Sequence, residues 1–248
     1  MCPVRLAPAA AAVCAATVLV TGCTTTETPA SPATSTSATA PRDNGIAGLS
    51  AAELLARVNK ALAGARSVRV TADVRVEGHR VEIDERIRSD QGATGTLRLD
   101  GASLGFVRIG PTFYVHADAA SWRKLGVEAD AVAVLVGKWV RLPSTDPDFA
   151  DFAKLTTIRE LARLFIPTDE PGNVKGPWPR TTLRGQPVVR VGEDRFGALY
   201  VAATGTPYPV RAVVTSGAEP GRVDFLAYNQ PVTLKPPPAA QVITPPGS

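Results

Sequence analysis

Val68, Val70, Ala72, Val74 and Val76 alternate without a break with Arg69, Thr71, Asp73, Arg75 and Glu77. A period of two places the first set on one face of an extended strand and the second on the other. Gly78-His79 has the make-up of a tight turn. The alternation then resumes, with Val81, Ile83 and Ile87 set against Glu82, Asp84, Arg86 and Arg88. One apolar face and one charged face favour an antiparallel sheet that is wet on one side, and disfavour the uniformly apolar strands of a parallel sheet.

A helix precedes this hairpin. Ser50 and Glu53 form an S-x-x-E capping box, with Leu49 and Leu54 at the two staple positions. Leu54, Leu55, Val58, Ala61 and Leu62 line its apolar side, and Gly64 stops it. Beyond the hairpin, strands are predicted at 94–99, 104–109 and 112–116, with Asp100-Gly101 and Gly110-Pro111 as turns. A short strand is expected at 122–125. The middle turns helical: an apolar helix at 128–136, a short one at 149–155 and a clearer one at 157–166. Thr157 and Glu160 there repeat the capping-box spacing, Leu155, Ile158, Leu161, Ala162 and Phe165 share a side, and Pro167 closes the helix.

Strands return at 181–184, 188–192, 198–204, 210–215 and 222–228, and Pro236-Pro237-Pro238 begins a loosely held tail. Two separate small sheets would bury themselves poorly. The expected fold is therefore α+β: one strongly curved antiparallel sheet, a half-barrel of about ten strands, with helices on its concave side. It spans residues 49–242, leaving 243–248 as a disordered tail.

The N-terminus sets an expected compartment. Arg5 is followed by an apolar run over residues 6–20, shorter than the roughly 20 residues a membrane span needs. The run ends in Val20-Thr21-Gly22-Cys23, which resembles a bacterial lipobox. Residues 1–22 then read as a lipoprotein signal peptide, and Cys23 as the acylated new N-terminus. An ordinary secretory signal with a chance cysteine is the competing reading. Acyl chains contribute about 0.8 kcal/mol per buried methylene, so two or more give stable attachment. The expected location is the outer, extracytoplasmic face of the cell membrane, anchored through Cys23. Residues 23–48 read as a tether: 17 of the 19 residues at 24–42 are Thr, Ser, Ala or Pro. Such a stretch cannot bury enough surface to order itself, and it reaches roughly 25–30 Å from the anchor.

Composition excludes several functions. The net charge of +4 on 248 residues gives no concentrated basic face, so no nucleic-acid partner is expected. Two His and three Cys, all three Cys within the first 23 residues, supply little for a metal site or a Cys–His pair. No cofactor is implied, no enzyme is expected, and the default oligomeric state is a monomer.

The whole arrangement carries a resemblance. Lipobox, Thr/Ser/Pro tether, leading amphipathic helix and long meander are similar to actinobacterial lipoproteins of the LppX/LprG type. The run Gly197-Ala198-Leu199-Tyr200-Val201, the run Thr204-Gly205-Thr206-Pro207-Tyr208-Pro209-Val210-Arg211, and the closing Val223-Asp224-Phe225 and Tyr228-Asn229-Gln230-Pro231-Val232 strengthen it. The resemblance covers nearly all of residues 49–242. It implies a half-barrel related to the periplasmic lipoprotein carrier LolA, with an apolar cavity that holds a lipid or acylated glycolipid for carriage or presentation.

Cavity-lining candidates are Val70, Val74, Val81, Ile83, Leu97, Leu99, Ile158, Leu161 and Phe165, all of which could equally be ordinary core. Few aromatics and many Val and Ala fit a hollow interior, although genome composition produces the same bias. Glu85 falls on the inward face by strict alternation. Either a bulge or a wet rim relieves it, or it is a polar group meeting a ligand head. Arg108 and Arg190 raise the same question unless they snorkel to solvent.

Gly101-Ala102-Ser103-Leu104-Gly105 matches G-x-S-x-G, but it lies between two strands rather than in the strand–turn–helix setting that a nucleophile elbow needs. His79 reads as a solvated turn residue and His116 as structural. Asp146, Asp148 and Asp151 form either a weak cation site or the run-in to a helix around Pro147. A second functional reading is an envelope scaffold or sensor that binds a protein partner without lipid. A hydrolase built on Ser103 is a distant third.

Overall fold

The computed structural model describes residues 42–89, 91–143, 145, 150–166, 175–193, 197–215 and 220–245. The expected leading helix is α1 (Ala51–Ala63), and its box is reciprocal. Glu53 N–H donates to Ser50 Oγ at 3.3 Å, and Ser50 N–H donates to Glu53 Oε2 at 3.0 Å. The alternating hairpin is β1 (Ser67–Val76) and β2 (His79–Arg88), paired without a bulge from Ser67↔Arg88 to Val76↔His79. β3 (Gly92–Leu99), β4 (Ala102–Ile109) and β5 (Thr112–Ala117) continue the meander, each antiparallel to the one before. Asp100 and Gly101 make the β3–β4 turn at φ of 46° and 83°, the mirror-image geometry that follows strand twist.

The strand expected at 122–125 is instead part of α2 (Ala119–Lys124). Asp118 is the reason: its carboxylate accepts from the Ser121 N–H at 2.7 Å and starts a helix there. The three expected middle helices are α3 (Ala129–Leu135), α4 (Ala150–Leu155) and α5 (Ile158–Phe165). Thr157 caps α5 by accepting from the Glu160 N–H at 3.3 Å, while Glu160 pairs with Arg163. An unanticipated strand, β6 (Trp139–Pro143), separates α3 from α4 and pairs with β5.

The last third supplies β7 (Arg180–Leu183), β8 (Gln186–Glu193), β9 (Gly197–Ala202), β10 (Pro209–Val214) and β11 (Gly221–Leu226). A final short strand, β12 (Val242–Ile243), runs parallel to β6. The sheet has twelve strands rather than about ten, because β6 and β12 are too short to display a period.

The strand order is β12-β6-β5-β4-β3-β2-β1-β11-β10-β9-β8-β7, unclosed and antiparallel except at β12–β6. β1 is the seam, since it joins the early meander to the late one through pairs such as Val70↔Phe225. Segments on both sides of 49–242 are also fastened. Ile46 and Ala47 are buried, and the Asn44 side-chain amide donates to Ala202 O at 2.8 Å and Gly205 O at 3.1 Å. Ala40–Ser248 forms one compact unit. Residues 1–22, Cys23, most of the tether, Asp146, Asp148, Pro167 and residues 246–248 lie outside the described residues, as do the side chains of Asp151 and Phe165.

The sheet's two faces behave as the alternation requires. Leu54, Val58 and Leu62 of α1 share one core with Val68, Val70 and Ile87 of the inner face. On the outer face, Asp224 is 3% exposed and holds three arginines: Arg211 Nε at 2.6 Å, Arg184 Nη2 at 2.7 Å and Arg222 Nε at 3.4 Å. This cluster crosses from β11 to β10 and to the turn after β7. Removing the buried carboxylate strands its partners, whereas removing the outermost arginine does little. Asp224→Ala should cost about 3 kcal/mol in urea unfolding, and Arg222→Ala less than about 1 kcal/mol. Equal losses would mean that burial is not what gives Asp224 its weight.

Candidate functional site

Register makes the inner face a lattice of rows. One row runs Phe225, Val70, Glu85, Gly95, Phe106, Val115 and Val140 across β11, β1, β2, β3, β4, β5 and β6. The next runs Val68, Ile87, Ala93, Arg108, Phe113 and Leu142 from β1 to β6. Two ionisable residues, Glu85 and Arg108, interrupt these otherwise apolar rows.

The helices cover that wall through specific contacts. Phe152 of α4 stands edge-on to Phe106 with ring centroids 4.8 Å apart, and 5.8 Å from Phe113. Ile158 and Leu161 of α5 are buried in the same core, and α5 also meets α1. Arg108 ties the α4–α5 junction to the sheet. Its Nε donates to Thr156 Oγ1 at 2.7 Å, Nη2 to Thr156 O at 2.9 Å and Nη1 to Gly110 O at 3.0 Å. Thr156 is itself fully buried.

The structure thus brings most of the sequence candidates together. Val70, Ile83, Ile158 and Leu161 are buried in the shared core, with Val74, Val81 and Leu97 packed against it. Leu99 is half-buried at the end of β3. None of the eight whose side chains are described lines either of two surface grooves. One, of about 660 Å³, includes Thr94, Gly105, His116, Lys138 and Trp139; the other, of about 390 Å³, includes Arg184, Tyr208 and Tyr228.

Glu85 is not relieved by a bulge or a wet rim. Its pairs with Val70 and Gly95 are in regular register, it is 0% exposed, and neither carboxylate oxygen has a hydrogen-bond partner. A buried polar group left unpaired costs on the order of 1–3 kcal/mol. Burial pushes its pKa well above 4.5, opposed by the nearby Arg108 charge and reinforced by Asp84. Gly95 is what lets the strands close here, because a Cβ at that position would stand 2.3 Å from Asp84 O and 2.7 Å from Glu85 Cα.

Other candidates are elsewhere. Arg190 lies on the opposite face from the buried Val189, among Val188 and Tyr200. Ser103 is a strand residue whose N–H donates to Ser121 Oγ at 3.0 Å. The exposed His79 meets Asp100 at 2.5 Å, and His116 packs on Trp139 with centroids 4.0 Å apart. Among the described residues no group of three His, Cys, Asp or Glu could hold a metal ion. Sequence reasoning passed over Thr156, whose only signal was its place between two helices.

No family model and no curated protein matches the chain. Solved structures do. LprF from Mycobacterium bovis is similar over 77% of this chain and 99% of its own, at 15% identity and a TM-score of 0.49. The Mycobacterium tuberculosis lipoprotein LppX is similar over 74% and 98%, at 17% identity and a TM-score of 0.45. A LolA-superfamily protein from Nitrosomonas europaea is similar over 77% and 96%, at 9% identity and a TM-score of 0.28.

The buried carboxylate has a measurable signature. Below the ordinary glutamate value of 4.5 both folded and unfolded chains hold the proton, so stability is full there. It is lost as pH rises from that value through the higher folded pKa. Glu85→Gln removes the loss, so the variant's melting temperature should gain on wild type as pH is raised above 4.5. A difference that stays constant across that range would show that Glu85 is not the titrating group.

Proposed function

We propose that this chain is a membrane-anchored envelope lipoprotein that binds an acyl-chain or glycolipid ligand against the inner face of its sheet, for carriage or presentation. The observation that carries the reading is the inner face itself. It is a wide wall of an unclosed sheet, apolar except at Glu85 and Arg108, covered in part by two short helices, α4 and α5, of six and eight residues. Lifting the apolar sides of those helices from the wall, while Arg108 keeps hold of the Thr156 joint, would exchange protein–protein apolar contact for protein–acyl contact. Transfer of a chain from water contributes roughly 25 cal/mol per Å² buried, enough to offset that exchange for a long acyl chain. The lipobox at Val20-Thr21-Gly22-Cys23 supports delivery of such a domain to the outer membrane face, where its ligand would be. No helix of the described residues is long and apolar enough to cross a membrane.

A second reading, a scaffold that binds a protein partner without lipid, is favoured by the dense packing of α5 and α1 on the wall. Val134 of α3 and Leu164 of α5 point outward at 63% and 60% exposure.

Native mass spectrometry of residues 40–248 with organic-solvent extraction separates the two. The carrier reading expects a reproducible extra mass that extracts as lipid. A bare, folded protein that also refuses added lipids supports the scaffold. Leu161→Asp puts a charge on the face of α5 that covers the wall and should abolish loading while the sheet's circular dichroism remains; undiminished loading would remove the space between α5 and the wall as the site. For the anchor, Cys23→Ala should move the chain from the membrane fraction to the soluble one, and an unchanged distribution would refute acylation at Cys23.

A further inference from the structure

Glu85 and Arg108 are the two ionisable side chains in the adjacent inner-face rows described above, and their situations differ. Arg108 is committed: three of its N–H groups serve Thr156 and Gly110. Glu85 is uncommitted, with both oxygens buried and unpaired. The two stand on β2 and β4, one row apart, and the residues between them on β3 are Ala93 and Gly95. Small residues at that point leave no bulky side chain between the carboxyl group and the guanidinium.

We infer that Glu85 is the inner polar subsite of the acyl-ligand site and receives an uncharged, hydroxyl-bearing head, such as the free hydroxyl of an acylated glycerol or polyol. The inference rests on the lipid-binding reading and deepens it. The choice among head groups follows from the chemistry of the pair. A carboxylate or phosphate head would need a guanidinium fork, and Arg108 has spent its fork on the α4–α5 junction. An ammonium head would suit Glu85 but would meet the Arg108 charge in surroundings that screen it poorly. A hydroxyl is both donor and acceptor, so it satisfies a carboxyl group in either protonation state without adding charge to an apolar wall. In its protonated form, which burial favours, the carboxyl group offers the complementary O–H and C=O.

The test uses the full anchored chain reconstituted in phosphatidylcholine vesicles. The vesicles carry one of two photoreactive probes with identical diazirine acyl chains: a diacylglycerol with its hydroxyl free, or the same lipid with that hydroxyl acetylated. After irradiation, probe attached to peptides of β2, β3 and β4 is counted by mass spectrometry. Wild type should take up the free-hydroxyl probe about tenfold over the acetylated one, the ratio one lost buried hydrogen bond produces. Glu85→Leu should label equally with both, through loss of the hydroxyl preference alone, and Glu85→Gln, which keeps a donor and an acceptor, should retain most of the preference. Equal labelling of wild type by both probes, or a preference undiminished in Glu85→Leu, overturns the subsite and leaves the lipid-binding reading standing. Labelling of these strands by neither probe overturns both. If Glu85→Leu does not fold, the wild-type ratio and its retention in Glu85→Gln still decide the matter.

Discussion

An open sheet with one apolar face must have that face covered, and the rest of this molecule answers to that requirement. A closed barrel would fold the face onto itself, and a sandwich would set a second sheet against it. Here the cover is helical. α1 is tied in by its capping box and its Leu54, Val58 and Leu62 stripe, α4 by Phe152, and α5 by Ile158 and Leu161. The last two are joined at Thr156, and Arg108 reaches up from the sheet to hold that joint. Covering a wide wall with short helices means that much of the attachment passes through a few side chains. The outer face has the opposite character, a lattice of arginine–carboxylate pairs centred on Asp224 and Asp84.

How much of this was legible beforehand depended on segment length. The β1–β2 hairpin has ten residues on each side, enough alternation to establish both face and register, and even the inward placement of Glu85 followed from it. The late strands were equally readable. β6 and β12, of five and two residues, display no period of their own and exist because a neighbour offers an edge. The stretch at 122–125 was misread because Trp122 and Leu125 look strand-like, while one capping carboxylate at Asp118 decides for helix. Nor did composition distinguish tether from fold at Ile46 and Ala47, whose burial depends on Asn44 binding a strand more than 150 residues away.

The candidate site was legible in its apolar part and opaque in its polar part. Val70, Ile83 and Leu161 declare themselves by period. That Arg108 is engaged depends on where Thr156 lands, and no spacing rule fixes a partner 48 residues along the chain for a long side chain. The expectation of a hollow interior rested on small side chains. On that face Val70, Ala72, Ile83 and Ala93 share one core with Leu54 and Val58 of α1 and Leu161 of α5.

The pairing of β1 with β11 also governs how the molecule is made. A chain emerges N-terminus first, and the meander from β1 to β5 needs only local turns. One long edge of β1 then stays unpaired until residues 221–226 arrive, since Arg69 waits for Leu226 and Val74 for Gly221. Closing so long a loop is entropically slow, and an open strand edge invites pairing with other chains. Arg69, Asp73 and Arg75 place charges along that strand, the residue types that disfavour edge-to-edge pairing.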